Sequence, residues 1–198
     1  MAVQIKPRFY SPEEYLMLER EADFKSEYLD GQIYAMSGGS PRHSAIAFNI
    51  GGVFAAQLSG KPCQGFNSDA KVRTSPTGYY GYPDLSIVCG EPEYHDEKED
   101  VLTNPIVIVE VLSPTTEAFD RGKKFARYRH LDSLTDYLLV SQEEPRIEQY
   151  TKQSRNHWLL TVAEGLEAVL QIDSLGCTLR LSQVYERITF PVPEEQLQ

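Results

Sequence analysis

The sequence predicts a mixed α/β fold, a central mixed β-sheet flanked by α-helices, in one domain spanning residues 1–198. Three observations predict it. Segments of helical periodicity are interleaved with short apolar runs along the chain. One of these runs, Ile106-Val107-Ile108-Val109-Glu110-Val111-Leu112, is too apolar and too β-branched to be anything but a strand buried on both faces. After residue 135 the chain reads as a series of alternating strands separated by turns. A chain of 198 residues can bury a sizeable core without disulfide or metal staples.

The elements follow in order. Ser11-Pro12-Glu13-Glu14 opens a first helix, with Ser11 as cap, Pro12 at the first helical position and Glu14 closing a capping box; it fades near Asp23. Phe24–Leu29 and Gln32–Met36 are strands joined by Asp30-Gly31, a pair suited to a hairpin turn with positive φ at both positions. Ser37-Gly38-Gly39-Ser40-Pro41 breaks the pattern. From His43 to Leu58, Ile46, Ile50, Val53, Phe54 and Leu58 recur at helical spacing, and Gly51-Gly52 within this helix suggests close packing on a sheet. Residues 63–76 form one strand with Ala70 and Val72 on one face and Lys71 and Arg73 on the other. Thr74–Gly81 is a turn, Pro83–Cys89 a short apolar strand and Gly90–Thr103 an acidic surface loop. The buried strand Pro105–Leu112 ends at Ser113-Pro114, and a charged helix runs from Thr116 to Leu131. Strands follow at Asp136–Ser141, Arg146–Lys152, Trp158–Val162, Ala168–Ile172 and Cys177–Leu181, before a short helical turn and a Pro- and Glu-rich tail.

Composition narrows the function classes. No apolar run approaches the roughly 20 residues that cross a bilayer, and the N-terminus lacks the apolar stretch of a signal peptide. Cys63, Cys89 and Cys177 are odd in number and widely spaced, which argues against a disulfide framework and a zinc knuckle and for a reducing cytoplasm. The net charge of −10 disfavours tight non-specific binding to nucleic acid. Base is nonetheless concentrated in Arg121, Lys123, Lys124, Arg127, Arg129 and His130. There is no Walker loop, nucleophile elbow or dinucleotide-binding glycine pattern.

Two carboxylates stand out. Glu110 interrupts the most hydrophobic strand, on the face of Ile106, Ile108 and Leu112, where an ionised carboxylate needs a cation, a metal or an opening to solvent. An arginine partner or a solvent-facing strand end would satisfy it equally well. Asp84 opens the other apolar strand; it reads as a strand-start residue or, if the two strands are neighbours, as a second acid converging on Glu110. Two oxygen ligands from adjacent strands, completed by water and phosphate, suit Mg²⁺ or Mn²⁺. Lys124, four residues after Asp120, reads by spacing alone as half of a surface ion pair. Glu27 reads as a solvent-face strand residue and His43 as a cap or a site residue.

Glu27-Tyr28-Leu29-Asp30-Gly31-Gln32-Ile33-Tyr34 resembles the start of a large bacterial family of restriction endonuclease-like proteins in the PD-(D/E)XK nuclease superfamily. The likeness continues through His43, Pro83-Asp84-Leu85, Val109-Glu110-Val111-Leu112-Ser113-Pro114 and Asp120…Lys124-Phe125…Tyr128, covering about residues 11 to 150 in order. The resemblance implies a restriction endonuclease-like core and a metal-dependent endonuclease acting on nucleic acid, with DNA the expected substrate. It implies Asp84 and Glu110 as metal-binding acids and Glu27 as an additional acid of the metal shell. The superfamily usually has its lysine two residues after the glutamate, where this chain has Leu112; the resemblance implies that Lys124 has taken over from the following helix. His43 matches a family position without an assigned role. Lys71, Arg73, Lys123 and Arg127 are the candidates to line a basic cleft for substrate, and a homodimer would suit cleavage of both strands. A catalytically silent binding module with the same fold is the competing reading, and a metal-dependent hydrolase of another substrate a third.

Overall fold

The computed structural model describes residues 8–74 and 78–190. Residues 1–7, residues 75–77 of the expected strand and turn, and the Pro- and Glu-rich tail from residue 191 lie outside the described residues.

Helix α1 (Pro12–Glu21) begins with the expected capping box: Ser11 N–H donates to Glu14 Oε2 at 2.8 Å, and Glu14 N–H donates to Ser11 Oγ at 3.1 Å. β1 (Ser26–Leu29) and β2 (Gln32–Ala35) form the expected hairpin, with Asp30 at φ 49° and Gly31 at φ 85°. Helix α2 (Pro41–Leu58), capped by Ser40, lays Ile46, Ile50, Phe54 and Leu58 on the core. Gly51 faces Leu85 of the sheet, as expected of a close helix–sheet contact, whereas Gly52 meets open space.

The segment read as one strand over residues 63–76 is divided. β3 (Cys63–Asn67) and β4 (Lys71–Arg73) belong to different sheets, separated by a turn in which Asp69 N–H donates to Asn67 Oδ1 at 3.0 Å. Two further strands of two residues each, β5 (Tyr80–Gly81) and β7 (Val101–Leu102), fall within the expected turn and the expected acidic loop. Elements so short leave no period to read. β6 (Leu85–Cys89) and β8 (Val107–Val111) are the two buried apolar strands. After β8 the helical segment consists of α3 (Glu117–Phe119), a π-helical turn (Asp120–Lys124) and α4 (Phe125–Tyr128). β9 (Asp136–Val140), β10 (Arg146–Ser154), β11 (His157–Glu164), β12 (Val169–Ile172), β13 (Cys177–Arg180) and helix α5 (Leu181–Val184) complete the order.

The strands make a six-stranded sheet in the order β11-β10-β9-β8-β6-β3, a five-stranded sheet β2-β1-β5-β4-β7 and a separate β12-β13 hairpin. In the larger sheet β8 is antiparallel to β6 and parallel to β9, with the helical segment as the crossover. One face of that sheet, with Val107, Val109, Val111, Leu138 and Val140, is covered by α2, the β12-β13 hairpin and α5. The opposite face, with Ile108, Leu112, Tyr137 and Leu139, packs on Tyr128, Leu131 and Leu134, on Leu29 and Val72 of the smaller sheet, and on Tyr79 just before β5. The candidate acids lie between the two sheets.

Cys63 and Cys89, directly opposite each other on β3 and β6, are disulfide-bonded, and Cys177 is free and buried. The odd count and wide spacing argue against a disulfide framework, and this bond corrects that expectation. A separation of 26 residues says nothing about which positions an antiparallel register sets side by side. No helix among the described residues is long and apolar enough to cross a membrane.

Candidate active site

Asp84 and Glu110 meet because of strand register. Leu85 pairs with Val109 and Ser86 with Ile108, so the antiparallel ladder continued by one residue sets Asp84 opposite Glu110. Strand alternation puts Glu110 on the face of Ile108 and Leu112; Ile106, outside the strand proper, packs with the opposite core. Asp84 is locked at this end of the ladder. Its Oδ2 accepts the Val111 backbone N–H at 2.7 Å and lies 3.1 Å from His43 Nε2, which the capped start of α2 delivers. The hydrogen bond to Asp84 raises the pKa of His43, against the opposing effect of burial.

Lys124 joins from the crossover. Its ammonium is 3.0 Å from Glu110 Oε1, 3.3 Å from Asp120 Oδ1 and 3.4 Å from Glu27 Oε1. All four residues are buried: Glu110 is 3 % exposed, Asp120 2 %, Lys124 7 % and Glu27 9 %. Spacing alone placed Asp120 and Lys124 on the surface; they are instead inside, and the π-helical turn that carries both is a rare local geometry found often at functional sites. Glu27 is likewise no solvent-face residue, since all four residues of β1 are buried. The rings of Tyr79 and Tyr128 meet edge to face at 5.3 Å, and Tyr128 and Tyr137 lie within the electrostatic reach of Glu110.

The cluster is over-acidic. Burial, together with Asp120, Asp84 and Glu27, pushes the Glu110 carboxyl well above the ordinary range, although Lys124 opposes this. Burial works against the Lys124 ammonium too, but Glu110, Glu27 and Asp120 outweigh it and keep the lysine charged well above its ordinary value. Glu110 Oε1 has no hydrogen-bond partner despite its ion-pair contact with the ammonium. A buried oxygen that accepts no hydrogen bond and a surplus of hard carboxylate donors fit a divalent cation held by Asp84 and Glu110. A three-acid set that includes Glu27 does not assemble: among the described residues no three His, Cys, Asp or Glu side chains can hold an ion by themselves, and the Glu27 carboxylate lies on Lys124.

The expected basic cleft is not formed by the residues proposed for it. Lys71 is 2 % exposed and spent on Glu19, with its ammonium 5.4 Å from the centre of the Tyr15 ring. Arg73 lies against His95 and over the Tyr80 ring. Arg127 pairs with Asp30. Lys123 is exposed. Alternation along residues 70–73 could not foresee this, because β4 is covered on both sides. Asp120 is the site residue given too little weight. The inward spacing of Asp120, Lys124 and Tyr128, each four apart, was the available signal.

Residues 12–182 match the model of the Uma2 family, described as "Putative restriction endonuclease". The chain belongs to this family. It is 41 % identical over 181 residues, 91 % of this chain and 93 % of the other, to a Synechocystis protein described as "Uncharacterized protein slr1290". A second Synechocystis protein, "Uncharacterized protein sll1609", is 33 % identical over 171 residues, 86 % of this chain and 97 % of its own. The crystal structure of a protein from Anabaena variabilis, described as a putative nuclease belonging to DUF820, superposes with a TM-score of 0.75 at 18 % identity, over 91 % of this chain and 99 % of the other. The restriction endonuclease-like nuclease fold is thereby established for this Uma2 chain, and its family places it among nucleases at that level of description.

Proposed function

We propose that this Uma2 protein is a metal-dependent endonuclease that hydrolyses phosphodiester bonds in DNA, with Asp84 and Glu110 holding Mg²⁺ or Mn²⁺. The observation that carries the reading is the meeting of Asp84 and Glu110 across one register step, with a buried ammonium 3.0 Å from Glu110. When bound, the cation supplies Lewis-acid charge at the phosphate and a more acidic water. Within the protein, Lys124 places a fixed positive charge beside the reacting phosphate, where preorganised charge lowers the barrier. Glu27 and Asp120 hold that ammonium in place and charged. His43 and the Val111 N–H fix the orientation of Asp84. Cutting both strands of a duplex takes two such sites, which a homodimer supplies.

The test is incubation of supercoiled plasmid, single-stranded DNA and RNA with Mg²⁺, Mn²⁺ or EDTA. Cleavage that needs metal and disappears in Asp84→Ala and Glu110→Gln, with far-UV circular dichroism unchanged, is the expected result. Retained cleavage in both variants rejects the assignments. A second reading, a silent module that keeps the fold, is favoured by one observation: the net charge of −10 combined with basic residues that pair with the protein's own groups. It predicts no cleavage and no saturable heat on titration with Mn²⁺.

A further inference from the structure

The outer edge of β11 ends the six-stranded sheet, and among the described residues no strand pairs with it. It is also apolar: Leu159 is 55 % exposed, Leu160 47 % and Val162 41 %. An edge strand offers a row of unpaired N–H and C=O groups, which proteins usually blunt with charge, proline or a bulge. Between Trp158 and Ala163 β11 has neither charge nor proline. The opposite edge, β3, is the polar run Cys-Gln-Gly-Phe-Asn behind Pro62.

We propose that β11 pairs antiparallel with β11 of a second copy of this chain, about a two-fold axis at Leu160. A two-fold perpendicular to the sheet keeps each face continuous, so directly opposed residues share a face. With the axis at Leu160, Leu160 meets its counterpart, Trp158 meets Val162 and Leu159 meets Thr161. Moving the axis one residue either way sets Val162 against Asn156 or Trp158 against Glu164. In this register Glu164 of each copy meets the polar Asn156 of the other and Arg155 lies in the turn before β11, so no charge is set against the apolar stretch. The chain's own tail, residues 191–198, is a poor competitor for the edge because Pro191 and Pro193 have no N–H to donate. The inference stands on the sheet edge and does not rest on the nuclease reading.

Sedimentation equilibrium of the full chain over a range of concentrations tests it. A reversible dimer is expected, with a dissociation constant raised at least about 10-fold by Leu160→Lys, which sets two ammonium groups on the axis. Leu160 is half exposed, so that variant should melt like the parent protein by circular dichroism. Leu160→Cys should give a disulfide-linked dimer under mild oxidation, whereas Thr161→Cys, whose counterpart faces Leu159, should not. A monomer at every concentration overturns the proposal, as does a dimer that Leu160→Lys leaves intact or one that forms only when residues 191–198 are removed.

Discussion

Replacing Lys124 with methionine removes the one ammonium from the middle of three carboxylates while keeping the length of the side chain. At 3.0, 3.3 and 3.4 Å, each ion pair is worth roughly 5 kcal/mol of Coulomb attraction at an effective dielectric constant of about 20. Several kcal/mol for desolvating the ammonium offset much of that sum. The larger effect of the substitution is what it leaves behind: buried carboxylates with no counter-charge. Breaking a buried pair in this way costs about 3–5 kcal/mol, and that is the loss expected at pH 7. The loss should depend on pH. Glu110 already has its folded pKa raised above the unfolded value by burial, and without the ammonium it rises further. A raised carboxyl contributes stability below its unfolded pKa and loses it as pH climbs through the folded one, so the deficit should shrink on acidification from pH 7 toward 5. Urea unfolding followed by the single tryptophan, Trp158, whose ring lies 5.3 Å from Phe125 beside Lys124, reports both quantities. A deficit below about 1 kcal/mol, or one that is flat with pH, would refute the buried-charge argument, since surface pairs contribute no more than that.

Other substitutions test neighbouring parts of the structure. Ala at Gly81 would drive its Cβ into the Tyr79 hydroxyl, and Tyr79 is fully buried with no room to yield; an overpacking cost of about 1–3 kcal/mol is expected in denaturant melts, partly recovered in Gly81→Ala/Tyr79→Phe. Arg20 ties α1 to the acidic loop through Asp100 and Asp96 and lowers the pKa of both. Depressed carboxyls contribute stability above their unfolded pKa and lose it as pH falls through the folded one, so Arg20→Ala should cost up to about 1 kcal/mol at pH 7 and converge with the parent protein below about pH 3. A gap that persists in acid would point to lost packing by the arginine stem. His43→Ala should leave the fold intact and weaken Mn²⁺ binding by about 10- to 100-fold in calorimetric titration, as loss of a group that orients a ligand does; unchanged affinity would make His43 a substrate contact or a helix-start residue only.

Much of the fold could be read locally. The capping box at Ser11, the Asp30-Gly31 hairpin, the α2 stripe and the long alternating strands after residue 135 each carry their signal within one element, and all are present. What could not be read lies where the signal is too short or too distant. β5 and β7 have two residues each, and the division of residues 63–76 between two sheets turns on pairing partners that are far apart in sequence. The same holds for Cys63 and Cys89.

By itself, the sequence determined that Glu110 is an anomaly, because an ionised carboxylate in a buried β-branched strand needs a cation, a metal or an opening to solvent. It also determined the ordered set of residues that carries the family likeness. Only the tertiary structure decided which groups answer Glu110. The β6-β8 register set Asp84 opposite it, the π-helical turn swung Lys124 and Asp120 inward, and β1 brought Glu27 from more than eighty positions away. Packing likewise removed Lys71 from the substrate-facing candidates by enclosing it with Glu19. Local patterns record whether a side chain prefers water. Which charge it meets is settled by register and crossover, and those are properties of the folded chain as a whole.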